Sequence, residues 1–180
     1  MPEVGLDALR AALPEYAKDT RLNLGSVLGT SQAPDQQVWG AAVACAIAAG
    51  NATVVREIVA EALDRLKPEV VDAAKAAASV MAMNNVYYRA KHLIGDDAYQ
   101  SLPARLRMSV IGRPGVDKVD FELWCLAVSA VNGCGTCLES HERTLREAGV
   151  SRDTVHDALR VASVVAAAAT TLAAEEALTA

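Results

Sequence analysis

From Lys118 to Val131 apolar residues occupy most faces of a helix, the pattern of a segment buried on nearly every side. Asn132-Gly133 interrupts it, because glycine enters left-handed turns at low cost. A second helix then runs from about Cys134 to Ala148 and stops at Gly149, the residue type favoured just past a helix end. Ser151-Arg152-Asp153 opens a third, with Ser151 or Asp153 as its cap, and it continues through Ala177. The same plan reads earlier in the chain, with Ala49-Gly50-Asn51 as the break and Leu66-Lys67-Pro68 as the later turn. Ahead of both sets lies a short helix, Leu6 to Tyr16, restarted at Pro14.

The two sets share more than their plan. Val38-Trp39-Gly40-Ala41-Ala42-Val43-Ala44 matches Leu123-Trp124-Cys125-Leu126-Ala127-Val128-Ser129, with the tryptophans in register at 124 − 39 = 85 residues. At that offset Glu57 meets Glu142, Asp72 meets Asp157, Ala73 meets Ala158 and Lys75 meets Arg160. The pattern predicts one domain over residues 1–180 built from two related helical halves. An N-terminal helix covers about 1–30, the first half about 31–112 and the second about 113–180. Arg113-Pro114-Gly115 separates the halves, and no stretch has the composition of a flexible linker.

Composition strengthens the helical reading. Aromatics make up only 4% while alanine recurs in almost every segment, which favours helices over strands and predicts an all-α fold. The net charge of −5 is spread without a basic stripe, so neither nucleic acid nor an anionic membrane is an expected partner. Met1-Pro2-Glu3-Val4-Gly5 has neither the positive region nor the apolar run of a signal peptide. The uncharged stretch Val161 to Ala174 is shorter than the roughly 20 residues of a membrane span. A cytoplasmic protein is expected, with its four cysteines reduced at rest; a close pair there reads as reactive before structural.

Such a pair exists. Cys134-Gly135-Thr136-Cys137 is a Cys-x-x-Cys at a helix start, and His141 follows four residues after the second cysteine. The sulfurs fall within one turn and are able to close a disulfide. Cys137 and His141, at i and i+4, share a helix face. Amides at the helix start favour thiolate over thiol, and a thiolate beside a base is an activated nucleophile. Glu122 lies on the preceding helix beside Trp124, where a carboxylate needs a partner. If the two helices fold back at Asn132-Gly133, Glu122 faces His141 and orients its ring. The repeat separates scaffold from chemistry: Gln37 stands opposite Glu122, Ala49 opposite Cys134, Ala52 opposite Cys137 and Arg56 opposite His141.

Glu122, eleven intervening residues, Cys134-x-x-Cys137 and His141 together resemble the alkyl hydroperoxidase D family of the carboxymuconolactone-decarboxylase-like superfamily. Leu13-Pro14-Glu15-Tyr16-Ala17-Lys18-Asp19, Met83-Asn84-Asn85-Val86-Tyr87-Tyr88-Arg89 and Phe121-Glu122-Leu123-Trp124 also look like this family, so the resemblance extends over nearly the whole chain. It implies an all-helical fold with a duplicated half and a homotrimer. It further implies reduction of alkyl hydroperoxides, and regeneration of a partner peroxiredoxin. No cofactor would be bound, and electrons would come from dihydrolipoamide on a lipoylated acyltransferase subunit. By the same resemblance Cys137 is the cysteine oxidised by peroxide, Cys134 the resolving cysteine, and Glu122 and His141 a proton relay. In one respect the chain departs: the family carries histidine just before the second cysteine, where this chain has Thr136, which cannot exchange a proton near neutral pH.

Other readings compete at each residue. Half a structural zinc site would need a second ligand pair, and none follows Cys134 and Cys137 at a usable spacing. A lactone enzyme of the carboxymuconolactone-decarboxylase type would need no cysteine pair. A helical adaptor that senses oxidation is the third alternative. Cys45 and Cys125 read as buried small hydrophobes, and Trp39 and Trp124 as matching core residues. His92 reads as an exposed residue of a last helical turn, and His156 as a surface or interface residue. Arg89, Asn84 and Asn85 read as candidates for an interface.

Overall fold

The computed structural model describes residues 4–29 and 33–179. Met1-Pro2-Glu3, residues 30–32 at the expected junction with the first half, and Ala180 lie outside the described residues. Within them the secondary structure is helical, and no strand occurs among the described residues. The expected all-α fold is what the chain adopts.

The N-terminal segment is not one helix. Helix α1 (Leu6–Ala12) ends at an extended Leu13, a 3-10 turn follows at Glu15–Ala17, and α2 (Lys18–Gly29) resumes the helix. Leu13 precedes Pro14, and the proline ring pushes the preceding residue out of helical backbone. The start of α1 is satisfied from a distance, since the backbone N–H groups of Gly5 and Leu6 donate to Glu57 and Glu61 at 3.0 Å each.

Two sets of three helices follow. The first is α3 (Asp35–Ala49), α4 (Ala52–Arg65) and α5 (Pro68–Ile94). After two short turns of helix, α6 (Asp97–Gln100) and α7 (Ser109–Gly112), the second is α8 (Lys118–Val131), α9 (Gly135–Glu147) and α10 (Arg152–Thr179). Local chemistry sets these boundaries. Gly50 adopts a left-handed conformation after α3, Asn51 caps α4 by accepting from Val54 N, and Pro68 occupies the first turn of α5. Asp117 caps α8 through the N–H groups of Val119 and Asp120, and Ser151 caps α10 by accepting from Thr154 N.

Helices α3 and α8 cross at the centre, with α5 and α10 packed against both. The α3–α8 crossing is close because Gly40 lies against the Trp124 ring; a Cβ at that position would collide with indole atoms Cε2, Cζ2 and Nε1. Trp39 and Trp124 are both fully buried, and the Arg65 guanidinium lies 4.9 Å over the Trp39 ring. At one end of the crossing Asp120 is a second buried carboxylate on α8, held by Gln36 and Gln37 of α3 at 2.7 and 2.9 Å. By length and composition α10 is able to cross a membrane, longer than the Val161–Ala174 stretch suggested. Here its Val155, Ala158, Ala162, Val165, Ala169 and Leu172 are buried, and the helix packs on α2, α3 and α8.

Candidate active site

The site forms where α8 folds back into α9. Gly133, at φ 66°, takes the left-handed turn, and Cys134 N donates to Ser129 O at 3.0 Å. Cys134 becomes the residue capping α9 and Cys137 falls in its first turn, among amides that favour negative charge. The two cysteines are joined as a disulfide with Cα atoms 5.3 Å apart. Cys134 is fully buried, whereas Cys137 is 5% exposed and forms part of a cavity wall.

The fold-back also brings Glu122 to His141. Glu122 Oε2 lies 2.6 Å from His141 Nδ1, with both side chains buried. That hydrogen bond fixes the ring through Nδ1 and leaves Nε2 for proton exchange. Both residues line the same cavity as Cys137, a space of about 430 Å³ between α5, the α7 region, α8 and α9. Met81, Tyr88, Met108 and Ile111 supply its apolar wall, and Thr136 stands beside Cys137. The fold therefore gathers all four residues singled out from the sequence, three at the cavity and Cys134 behind it.

Other residues hold this arrangement, and the sequence did not assign them. Asn132 in the turn donates to Asn85 Oδ1 at 2.9 Å, and Asn85 donates to Ser129 Oγ at 3.0 Å. Ser129 Oγ in turn donates to Cys125 O, and the Arg89 guanidinium to the Asn132 carbonyl. Helix α5 thus ties down the turn that presents Cys134 through buried Asn85 and half-buried Arg89, both read from the sequence as interface candidates. Asn84, buried on the same helix, lines the cavity and has its carbonyl O 4.0 Å from Cys137 Sγ. A hint lay in the polar pair Asn84-Asn85 within an otherwise helical, alanine-rich stretch, because asparagine is a poor helix former.

The remaining cysteines and histidines stand apart. Cys45 and Cys125 are free and buried. Burial pushes the Cys45 thiol far up; burial, then the Glu122 charge, does the same to Cys125, so both stay protonated and unreactive. His92 and His156 are exposed. A separate cavity of about 290 Å³, bounded in part by Gln37, Leu123, Asp157 and Arg160, contains none of the four site residues.

Residues 97–180 match the carboxymuconolactone decarboxylase family. The chain is 59% identical to a protein of Streptomyces avermitilis, over 97% of this chain and 99% of that one. It is 58% identical to one of Rhodospirillum centenum, over 97% and 94%, and 50% identical to one of Methylocella silvestris, over 96% and 97%. Each of the three is named alkyl hydroperoxide reductase AhpD. The chain belongs to the AhpD family. Within this AhpD-family chain the matched stretch 97–180 contains Glu122, Cys134, Cys137 and His141, while the helix that braces them, α5, lies ahead of it.

Proposed function

We propose that the protein is a thiol peroxidase that reduces alkyl hydroperoxides through a dithiol–disulfide cycle at Cys134 and Cys137. The Cys137 thiolate attacks the terminal oxygen of the hydroperoxide. A sulfur–oxygen bond forms as the oxygen–oxygen bond breaks, leaving a sulfenic acid on Cys137 and an alkoxide that takes a proton to depart as the alcohol. The Cys134 thiolate then attacks Cys137 Sγ, and the displaced hydroxide takes a proton and leaves as water. His141, held by Glu122, carries these protons as the general acid and base. The observation that carries the reading is the position of Cys137: bonded to the buried Cys134, on a cavity wall shared with the Glu122–His141 pair. Lactone chemistry of the decarboxylase type has no use for that disulfide, so the peroxidase is favoured.

Two electrons must return to the disulfide from another molecule. In our reading the donor is a dihydrolipoyl group on a lipoylated acyltransferase subunit. Cys137 is the sulfur it meets, since Cys134 is fully covered. The lipoyl dithiol becomes a cyclic disulfide and the protein regains both thiols. The cycle needs no bound cofactor, operates in the cytoplasm, runs on a homotrimer and also regenerates a partner peroxiredoxin. The test is consumption of an alkyl hydroperoxide by purified protein, supplied with dihydrolipoamide or a lipoylated carrier domain. Sustained turnover is expected. Fully reduced protein that consumes no peroxide would overturn the peroxidase, whereas one stoichiometric turnover without recycling would overturn only the donor.

A further inference from the structure

We propose that Asn84 is the residue that receives and orients the hydroperoxide at Cys137. The inference rests on Cys137 being the sulfur that meets peroxide, and it adds a substrate-positioning residue outside the Glu122–Cys134–Cys137–His141 set. Asn84 sits on α5 at 4% exposure, on the wall of the cavity that Cys137 and His141 share. Its backbone carbonyl is 4.0 Å from Cys137 Sγ, so its side chain begins beside the nucleophile. Its Oδ1 has no hydrogen-bond partner, and its Nδ2 has only the Met108 sulfur at 3.8 Å.

A buried carboxamide in that condition is unusual. Buried polar groups are nearly always paired, because losing water without gaining a partner is costly, and exceptions concentrate at working sites. The neighbouring Asn85 shows the ordinary outcome on the same helix, with its side-chain oxygen and nitrogen both engaged by Asn132 and Ser129. Thioether sulfur is a weak acceptor, so either orientation of the Asn84 amide leaves a polar atom without a strong partner in a residue that lines the cavity.

A hydroperoxide suits that atom and its surroundings. Its terminal O–H donates to Asn84 Oδ1, which holds the terminal oxygen towards the Cys137 sulfur while the alkyl group lies along Met81, Met108 and Ile111. The thiolate attacks that oxygen, which keeps its hydrogen and becomes the sulfenic acid hydroxyl. The oxygen–oxygen bond breaks towards the alkyl side, and the alkoxide takes its proton from His141. Asn84 exchanges no proton. It contributes by fixing the reacting atoms in line before bond formation.

The test separates peroxide from sulfur. Asn84→Ala and the nearly isosteric Asn84→Leu are compared with the parent protein for two rates. One is the second-order rate of the reduced protein with cumene hydroperoxide. The other is alkylation of Cys137 by iodoacetamide against pH, mapped by mass spectrometry. A roughly tenfold or greater fall in the peroxide rate is expected, in line with loss of an orienting hydrogen bond. Cys137 alkylation should keep its rate and its pH midpoint. Peroxide rates within twofold of the parent in the folded variants would overturn the proposal. A parallel fall in both rates would also overturn it, since Asn84 would then act on the sulfur or the fold. A parent protein with no peroxide activity would remove the underlying peroxidase reading along with it, an outcome visible before any variant is made.

Discussion

Cys137 and His141 share one face of α9, and the charge partner of that imidazole comes from α8 through a reversal of only a few residues. This locality is why the four residues could be read from the chain. A Cys-x-x-Cys fixes two sulfurs within one turn, an i, i+4 step fixes a shared face, and a glycine fixes where the chain turns back. Asn84 was not legible in the same way, because its meaning depends on α5 lying against α9 some 53 residues away. The unequal burial of the two sulfurs leads to unequal variants. Cys137→Ser should abolish peroxide reduction, whereas Cys134→Ser should stop after one turnover with a sulfenic acid on Cys137. Dimedone labelling after peroxide treatment checks this, and label absent from Cys137 would reverse the assignment. For the relay, Glu122→Gln and His141→Gln should each lower turnover by about 10²–10⁴-fold, the span typical of general acid–base groups. Cys137 should remain open to alkylation in both. Turnover within a few-fold of the parent in either variant would remove that residue from the relay.

Helix boundaries were legible wherever a local signal wrote them. Gly50, Asn51, Pro68, Gly133 and Ser151 all act at the turns expected of them. Where the partner is distant the sequence was silent. Nothing near Leu6 indicated that Glu57 and Glu61 of α4 cap α1, and nothing near Gly40 indicated the Trp124 ring against it. Both contacts yield predictions. Gly40→Ala would drive a methyl into the Trp124 indole at the α3–α8 crossing, and should destabilise by about 1–3 kcal/mol, the usual cost of overpacking. The urea midpoint measures it; an unchanged midpoint would mean the crossing opens freely. At Glu61, burial pushes the carboxyl up, but the Leu6 N–H and Arg65 outweigh it and hold the carboxyl below its ordinary 4.5. A depressed folded value means the ionised form contributes stability above pH 4.5, and that contribution is lost as pH falls through the folded value. The parent should therefore melt above Glu61→Gln at pH 7, with the gap closing in acid below pH 4.5. A gap equally wide at pH 3 would refute the carboxylate's role in holding α1.

At the scale of the whole molecule the question is what covers the apolar surface a single chain leaves open. The small-sided stretch 158–174 of α10 permits close approach of another helix, while the inward face of α10 packs on α2, α3 and α8. Several of the large apolar residues left in water lie elsewhere, close together in sequence. Val86, Leu93 and Ile94 near the end of α5 are exposed, and so are Leu102 and Leu106 in the segment that follows. Full burial of one such side chain is worth roughly 1.5–3 kcal/mol, so a handful brought together by three chains supplies a substantial drive for association. The same helix carries Asn85 and Arg89, which brace the cysteine turn from within, and Asn84 on the cavity wall. Association through the far end of α5 would then stiffen the helix that shapes the cavity. Sedimentation at micromolar concentration should give three chain masses for the parent and a shift towards smaller species for Leu93→Glu, which places a charge among these exposed apolar residues. Only monomer in the parent would refute the trimer. A trimer untouched by Leu93→Glu would move the interface off the end of α5.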